Sequence, residues 1–421
     1  MTSQTYDAIV VGAGPGGAAS AILLARQGLN VLAIDRKPDE DTYKKVCTTF
    51  IQRSALPVIE KLGLKEKLDA AGAIQNACEI WTEYGWIKDE GAGDPSTAHG
   101  YSVRRKVMDP LLLELMQAEP TLTLELGATL TELHADETGT FCGLTYATKD
   151  GPQTAHARQI VLADGRGSPG AKLAGVPTKM RENNRFVYYS YYENMPLKTG
   201  KTAQFWQTGR DMGFAYPFDG DLTMLCAFVC EEDFPEWKAD RRTALESFFK
   251  DLPNAPDQST ATPASEIRGM RKLHDYWRPA TYQGLALVGD ACMSCDPMSG
   301  VGCGFAMQAA DWMAERVGPA LVSGKGHAEA LNAYAKQHKS MLAGHEYFIR
   351  DASSGREANL LEKLISRAAV RDAVVAHRVH LFVGRVIKWQ EFLSPGTLGR
   401  ILLANLRGAP RTAPELTHVR G

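Results

Sequence analysis

The first forty residues alternate between apolar runs and small or turn-forming residues. Residues 7–11 are nearly all apolar, as expected for a strand buried on both faces. A glycine-rich turn follows, and the small residues at 18–27 predict a helix that ends at Gly28. A second apolar run at 31–34 ends in Asp35. This order of strand, glycine turn, helix, strand and acid predicts a dinucleotide-binding unit.

The type of residue at each key position of this unit has a physical reason. Gly12 permits the tight turn, Gly14 lets a pyrophosphate approach the backbone, and Gly17 lets the helix pack closely on the strand. The helix N-terminus offers free N–H groups to the phosphates. Asp35 is suited to accept hydrogen bonds from ribose hydroxyls, and its neighbour Arg36 is a further candidate. The motif alone does not separate NAD from FAD.

Two later apolar runs also lead into acids. Residues 159–162 precede an Asp-Gly pair at Asp164, and residues 284–288 precede Asp290 and a glycine-rich loop at 296–304. A carboxylate suits a polyol chain. The N–H groups of a loop that begins a helix stabilise negative charge on a reduced flavin.

A fourth segment at 101–112 contains Arg105 and Asp109. In order and approximate spacing, the four segments resemble those of the flavoprotein monooxygenase superfamily. That superfamily includes p-hydroxybenzoate hydroxylase, the flavin-dependent halogenases and the geranylgeranyl reductases, and the resemblance extends over residues 5–345. It implies an FAD-dependent oxidoreductase with Arg105 on the FAD side. The predicted cofactor-binding residues are Gly12, Gly14, Gly17, Asp35, Arg36, Arg105, Asp164, Asp290, Pro297, Gly300 and Gly302.

The implied fold class is α/β, with a Rossmann-type FAD-binding domain, an antiparallel-sheet substrate domain and a helical C-terminal region. We predict FAD-binding segments at 1–75, 101–178 and 276–330, substrate-domain segments at 76–100 and 179–275, and the helical region at 331–421.

Charge is distributed unevenly along the chain. The net charge is −2, which does not favour a nucleic-acid partner. Residues 331–421 carry 14 Lys and Arg against 7 Asp and Glu, a net charge of +7, so the other residues carry −9. Residues 379–393 mix apolar side chains with Arg385 and Lys388, which allows weak contact with a membrane surface or a cover over the substrate entrance. Packing against the protein body is the interpretation we favour.

The N-terminus has no basic start followed by an apolar stretch, so no secretion signal is predicted. Eight cysteines in such a chain fit reduced thiols, and we expect a cytoplasmic protein.

The superfamily resemblance favours a monooxygenase. NAD(P)H would bind transiently and reduce the flavin, and O₂ would add to give a C4a-hydroperoxide that hydroxylates an aromatic or apolar small molecule. The alternation at 186–192 places Phe186, Tyr188, Ser190 and Tyr192 on one strand face, which suits a flat substrate. Ordinary cross-strand packing is the commoner role of such a face.

Two other reactions stay open, besides a flavin-binding module without turnover. The His that usually follows Gly-Asp-Ala in the monooxygenases is Cys292 here. Cys47 after a basic pair, the loop at 296–300 and the aromatic segment 213–217 resemble the geranylgeranyl-reductase branch, which saturates isoprenoid double bonds. A halogenase is the second alternative, although the Trp-x-Trp-x-Ile-Pro pattern of halogenases is absent.

The cysteines are the last candidates for a chemical role, either in redox chemistry or as metal ligands. Cys292 and Cys295 have the spacing of a redox motif, with Cys303 and Cys47 as further thiols. Without a second pair at ligand spacing, no zinc site is predicted. We expect these thiols to be small packing residues, and we assign neither a catalytic residue nor a metal ligand.

Overall fold

The computed structural model describes residues 4–89 and 99–407. The strands of this part are β1 (Gln4–Val11), β2 (Val31–Asp35), β3 (Phe50–Ile51), β4 (Ile74–Thr82), β5 (Gly85–Ile87), β6 (Gly100–Ser102), β7 (Leu122–Leu126), β8 (Thr129–Ala135), β9 (Phe141–Thr148), β10 (Gly151–Leu162), β11 (Lys179–Arg181), β12 (Arg185–Glu193), β13 (Thr202–Thr208), β14 (Asp211–Phe218), β15 (Leu222–Cys230), β16 (Thr262–Pro263), β17 (Arg268–Met270), β18 (Asp275–Trp277), β19 (Thr281–Tyr282), β20 (Leu285–Leu287) and β21 (Met293–Ser294).

The α-helices of the same residues lie between and after these strands. They are α1 (Pro15–Ala25), α2 (Leu56–Lys61), α3 (Leu64–Ala70), α4 (Arg105–Gln117), α5 (Pro169–Leu173), α6 (Phe234–Ala239), α7 (Arg241–Lys250), α8 (Gly302–Ser323), α9 (His327–Ala352), α10 (Leu360–Ala369), α11 (Ala373–Val383), α12 (Trp389–Phe392) and α13 (Pro395–Leu406).

The chain divides into two compact units, each built from three segments. The first unit comprises residues 1–74, 100–183 and 272–350, and the second comprises 75–99, 184–271 and 351–421. In the first unit the strands run in the order β19-β20-β10-β1-β2-β7, and β9 and β8 extend the sheet from β10. Strands β20, β10, β1, β2 and β7 pair in parallel. Their carboxyl ends therefore meet at one edge, where ligands of such sheets bind.

The amino-acid sequence explains the centre of this sheet. Strand β2 is buried along its whole length, and every residue of α1 is buried as well. Small residues let α1 approach its neighbours closely, because a Cβ on Gly16 would lie 3.0 Å from Val288 and 3.2 Å from Ala306 of α8. The apolar runs of the sequence therefore become the core that supports the glycine turn.

The second unit is built on an antiparallel sheet with the order β16-β12-β15-β14-β13-β4. Strand β4 joins β13 in parallel, whereas β12, β15, β14 and β13 pair as antiparallel neighbours. Strand β12 is buried except at its last residue, and β15 is buried throughout. Helices α6 and α7 supply Trp237, Leu245 and Phe249 to an apolar core with side chains of this sheet.

Helices α10 to α13 follow in the second unit. A capping box at Asn359 starts α10, and the Asp372 side chain accepts hydrogen bonds from the Val374 and Val375 N–H groups at the start of α11. The predicted fold class, including a helical C-terminal region, is confirmed. Within residues 4–89 and 99–407, no helix combines the length and apolar character needed to cross a bilayer.

Candidate functional site

The glycine turn at the end of β1 is dictated by backbone packing. Gly12 has φ +104°, and a Cβ at this position would lie 2.5 Å from the Ala163 carbonyl oxygen. A Cβ on Gly17 would lie 1.7 Å from the Gly12 carbonyl oxygen. Both distances are too short for any side chain, so the polypeptide itself requires glycine at these two positions.

Gly14 is different, because a Cβ there would meet no atom within 4 Å. Its backbone is extended, with φ −75°, and Pro15 begins α1 immediately afterwards. The space beside Gly14 is therefore open and faces the helix N-terminus, whose N–H groups attract anions.

Asp35 fastens the end of β2 to this turn. One carboxylate oxygen accepts the Ala13 N–H at 2.5 Å, and the other accepts the Lys37 N–H at 2.8 Å. The sequence predicted Asp35 as a ribose acceptor, and these two backbone bonds aim its carboxylate at the same turn. The neighbouring Arg36 is exposed.

Asp164 is engaged locally. It accepts the Ser168 hydroxyl at 2.6 Å and the Gly170 N–H at 2.7 Å, so it holds the turn that leads into α5. Burial raises the pKa of its carboxyl group, and the bonds from Ser168 and Gly170 oppose the rise. The carboxylate thus shapes the loop after β10, beside the glycine turn.

The loop before α8 packs tightly against the segment after β2. Gly300 has φ +60°, and a Cβ on it would lie 2.7 Å from the Phe50 carbonyl oxygen. Asp290 lies beside the start of α8, since a Cβ on Gly302 would be 3.9 Å from its carboxylate. Lys44 Nζ lies 3.9 Å from the other Asp290 oxygen.

The same loop holds a pair of buried acids around Pro297. Asp296 accepts the Met298 N–H at 2.8 Å and the amide of Asn183, which fixes the turn through Pro297. Neither carboxylate oxygen of Asp275 makes a hydrogen bond of good geometry with the described residues. Burial raises the pKa of Asp275 to about 7, and the charge of Asp296 adds to the rise. Sequence reasoning missed Asp275, because its strand carries no motif.

Arg105 and Asp109 form a buried, two-bond ion pair on α4. Arg105 Nε lies 2.5 Å and Nη2 lies 3.0 Å from the two oxygens of Asp109. Asp109 also accepts the Lys44 N–H at 3.2 Å and contacts Lys37 Nζ at 3.4 Å. One carboxylate therefore binds α4 to the segment that follows β2.

That segment carries Cys47, which is hydrogen bonded to Cys303 in the first turn of α8. The bond from Cys303 holds the pKa of the Cys47 thiol well below its ordinary value, and the charges of Arg105 and Lys44 add to this effect. The bond to Cys47 also raises the pKa of Cys303. The two thiols therefore titrate as a coupled pair, with the negative charge favoured on Cys47.

Sequence reasoning grouped Cys47 with Cys292 and Cys295 and did not single out this partner. Cys292 instead donates to the Arg278 carbonyl oxygen at 3.4 Å, and burial raises its pKa to about 12. It is a packing residue. The sequence spacing pointed to Cys292 and Cys295, whereas the two cysteines that are hydrogen bonded in the structure are Cys47 and Cys303.

The structure thus gathers the ends of β1, β2, β10 and β20, α4 and the start of α8 at one edge of the first unit. The sequence model of the FAD binding domain family matches residues 5–344. The chain belongs to this family. The superfamily resemblance and the FAD cofactor are confirmed, and the flavoprotein is an FAD-dependent oxidoreductase.

Proteins similar to this chain in sequence are named for different reactions. The flavoprotein is 24% identical over 347 residues to digeranylgeranylglycerophospholipid reductase 1 of Methanococcoides burtonii, covering 79% of each chain. It is 24% identical over 328 residues to menaquinone reductase of Mycobacterium tuberculosis, covering 74% of this chain and 76% of the relative. It is also 24% identical over 327 residues to monooxygenase CTB7 of Cercospora beticola, covering 72% of this chain and 76% of the relative.

Solved structures share the fold. p-Nitrophenol 4-monooxygenase PnpA from Pseudomonas putida superimposes with a TM-score of 0.75 at 16% identity, covering 92% of this chain and 99% of that one. The flavin-dependent brominase Bmp2 superimposes with a TM-score of 0.71 at 17% identity, covering 96% and 99%. At these identities the likeness extends to the fold alone.

The residues of the first unit fit FAD. The open space at Gly14 and the start of α1 suit the pyrophosphate, and Asp35 is placed for a ribose. Asp290 and the loop at Pro297, Gly300 and Gly302 are placed for the polyol chain and the flavin ring. These individual roles remain predictions.

The contrast between Gly14 and Gly17 gives a test. We expect Gly14→Val to leave the apoprotein folded but to abolish flavin retention, because the new side chain fills only the open space. Gly17→Ala should lower the melting temperature of the apoprotein itself. Thermal unfolding of the apoprotein and flavin absorbance per protein chain measure the two effects.

Gly399→Val on α13 is the control, since a Cβ there also meets nothing within 4 Å. Normal flavin content in Gly14→Val would show that the cofactor does not approach this turn.

Proposed function

We propose that the flavoprotein is a reductase that saturates carbon–carbon double bonds of an apolar, isoprenoid-type substrate. The observation that carries this proposal is the thiol pair Cys47–Cys303 at the start of α8. NAD(P)H is the proposed reductant and binds transiently.

Saturating a double bond requires a hydride and a proton. Reduced FAD supplies the hydride, and the protein must supply the proton at the second carbon. In the thiol pair Cys303 donates its proton in a hydrogen bond to Cys47, beside the cationic side chains of Lys44 and Arg105. The pair can pass this proton to the second carbon while the hydride is transferred to the first, so that no free carbanion forms.

The same pair argues against oxygen insertion. A half-buried thiolate is readily oxidised by peroxide-level oxidants to a sulfenic acid. A monooxygenase must generate such an oxidant beside its flavin at every turnover. A thiolate there would compete with the substrate for it, whereas a reductase has no such conflict.

The aromatic strand β12 does not supply a substrate face where the sequence suggested one. Phe186, Tyr188 and Tyr192 pack in the core with Trp237 of α6 and Phe249 of α7. This face is therefore packed against helices α6 and α7.

Other rings of the same sheet form a continuous row. Tyr191 meets Phe218 edge to face at 5.3 Å between ring centroids, and Phe205 meets Phe214 at 4.7 Å. Tyr216 lies 5.6 Å from Phe205. These five rings are all buried, so they contribute to the packing of this face of the sheet.

The names of two relatives agree with this chemistry, since one is a reductase of a digeranylgeranyl lipid and the other a menaquinone reductase. Hydroxylation is the second candidate, favoured by the similarity to monooxygenase CTB7. A halogenase has only fold likeness in its favour.

Anaerobic turnover separates these reactions. With NAD(P)H and a geranylgeranyl lipid, we expect the product to gain two hydrogens per double bond without O₂, because no oxygen atom is required. Mass spectrometry measures the gain, and D₂O labels the proton that the protein delivers. Product that forms only in air and carries ¹⁸O from ¹⁸O₂ would replace the reductase with a monooxygenase.

Cys47→Ser tests the proton donor. A hydroxyl has a far higher pKa than a thiol and cannot replace Cys47 in the pair, so we expect double-bond reduction to slow by at least about a hundredfold, the lower end of the usual range for acid catalysis. Flavin reduction by NAD(P)H should continue, and the alkaline limb of the pH–rate profile for double-bond reduction should shift, because a proton donor is lost as pH rises.

Cys142→Ser is the matched control, because Cys142 is also half-buried but lies on β9. Wild-type turnover and an unchanged pH profile in Cys47→Ser would remove the thiol from the reaction.

The C-terminal helices offer a surface for reaching a lipid substrate. Leu402 and Leu406 on α13 are 62% and 73% exposed, and Leu403 is 51% exposed. The exposed Arg407 follows them, within the segment of net charge +7. Exposed leucines beside basic residues suit an anionic bilayer surface.

We therefore expect binding to anionic phospholipid vesicles that weakens with salt. Leu402→Gln combined with Leu406→Gln should reduce vesicle co-sedimentation several-fold, because apolar contact area is lost. Leu173→Gln in the first unit is the control, since Leu173 is 49% exposed. Equal sedimentation of both variants would place the lipid contact elsewhere.

A further inference from the structure

Two segments far apart in the sequence are pressed together around the thiol pair. A Cβ on Gly300 would lie 2.7 Å from the Phe50 carbonyl oxygen, and one on Gly304 would lie 3.6 Å from the Ala55 side chain. Cys47 precedes the first of these contacts, and Cys303 lies between Gly300 and Gly304. These contacts join the two segments that carry the cysteines, and the Cys47 and Cys303 side chains are hydrogen bonded to each other, which brings the two sulfurs close enough to be candidates for a disulfide.

The chemistry of the two sulfurs is unequal. Cys303 donates its thiol proton to Cys47, whose negative charge is favoured by Arg105 and Lys44. A thiolate is the nucleophilic form of cysteine, and a neighbouring thiol can resolve its first oxidation product. Both cysteines are half-buried, so a molecule as small as a hydroperoxide can reach them.

We propose that Cys47 and Cys303 are a peroxide-sensitive modification site that closes into a reversible disulfide. The inference rests on the proposed function in one respect only: the cross-link would consume the proposed proton donor. The cross-link would also join the segment after β2 to the start of α8, next to the glycine-rich loop at 296–304.

The reaction balances with hydrogen peroxide as oxidant. The Cys47 sulfur attacks one peroxide oxygen, the O–O bond breaks, and hydroxide leaves a sulfenic acid on Cys47. The Cys303 sulfur then attacks the Cys47 sulfur, the S–O bond breaks, and water leaves. The two sulfurs lose two electrons in total, and one peroxide becomes two waters after protons are returned from solvent.

Limited hydrogen peroxide treatment of the holoprotein tests this site without turnover. Peptide mass spectrometry under non-reducing conditions should find a Cys47–Cys303 peptide that is two hydrogens lighter, and a phosphine reductant should remove it. We expect Cys47 to lose its free thiol at least about tenfold faster than Cys142, because thiolate content sets the rate.

Variants separate the roles of the two sulfurs. In Cys303→Ser, Cys47 should accumulate as a dimedone-reactive sulfenic acid and then become irreversibly oxidised. In Cys47→Ser, no intramolecular disulfide can form at this site, and Cys303 should lose its free thiol more slowly than Cys47 does in the wild type, because burial opposes ionisation of the Cys303 thiol. Cys142→Ser and Cys295→Ser should form the cross-link at the wild-type rate.

A cross-link between Cys292 and Cys295 instead, or equal oxidation of Cys47 and Cys142, would overturn the proposal. Failure of the proposed function looks different. The disulfide would still form, while no double bond is reduced by the untreated protein.

Discussion

The carboxylate of Asp109 holds together the parts of the first unit that carry its chemistry. It pairs with Arg105 on its own helix and accepts the Lys44 N–H from the segment after β2. Removing one partner of such a buried pair typically costs about 3–5 kcal/mol, because the other charge is left unpaired. Cys47 follows Lys44 within three residues, so its place beside Cys303 depends on this anchor. Arg105, which the sequence predicted on the FAD side, thus has a structural role as the ion-pair partner of Asp109.

The cofactor site was the part most open to prediction from sequence. Gly12, Gly17 and Asp35 are determined by neighbours close in the chain or on adjacent strands, and such local constraints leave a visible motif. The Cys47–Cys303 pair and Asp275 depend on contacts between distant segments, which no spacing rule records. The sequence also suggested that the strand face with Tyr188 suits a flat substrate. Alternation shows which residues share a strand face, but it does not show what covers that face, which here is Trp237.

Within the second unit, the two faces of the antiparallel sheet carry different sets of aromatic side chains. Tyr188 and its face are locked against Trp237, whereas the row from Phe205 through Tyr216 follows the strands instead of a helix. Both sets of rings are buried, so both stabilise the sheet. A single strand such as β12 thus contributes alternate residues to the two packed faces of the sheet.

Asp275 gives the folded first unit an unusual response to acid. Its pKa is about 7 in the folded chain, against an ordinary value of 3.8. The folded state therefore holds a proton that the unfolded state has released between these two pH values. The contribution of this group to the free energy of unfolding falls as pH rises from about 4 to 7 and stays low above that range. Most carboxylates act in the opposite sense, so mild acidification favours the folded state at Asp275 while it weakens ion pairs elsewhere.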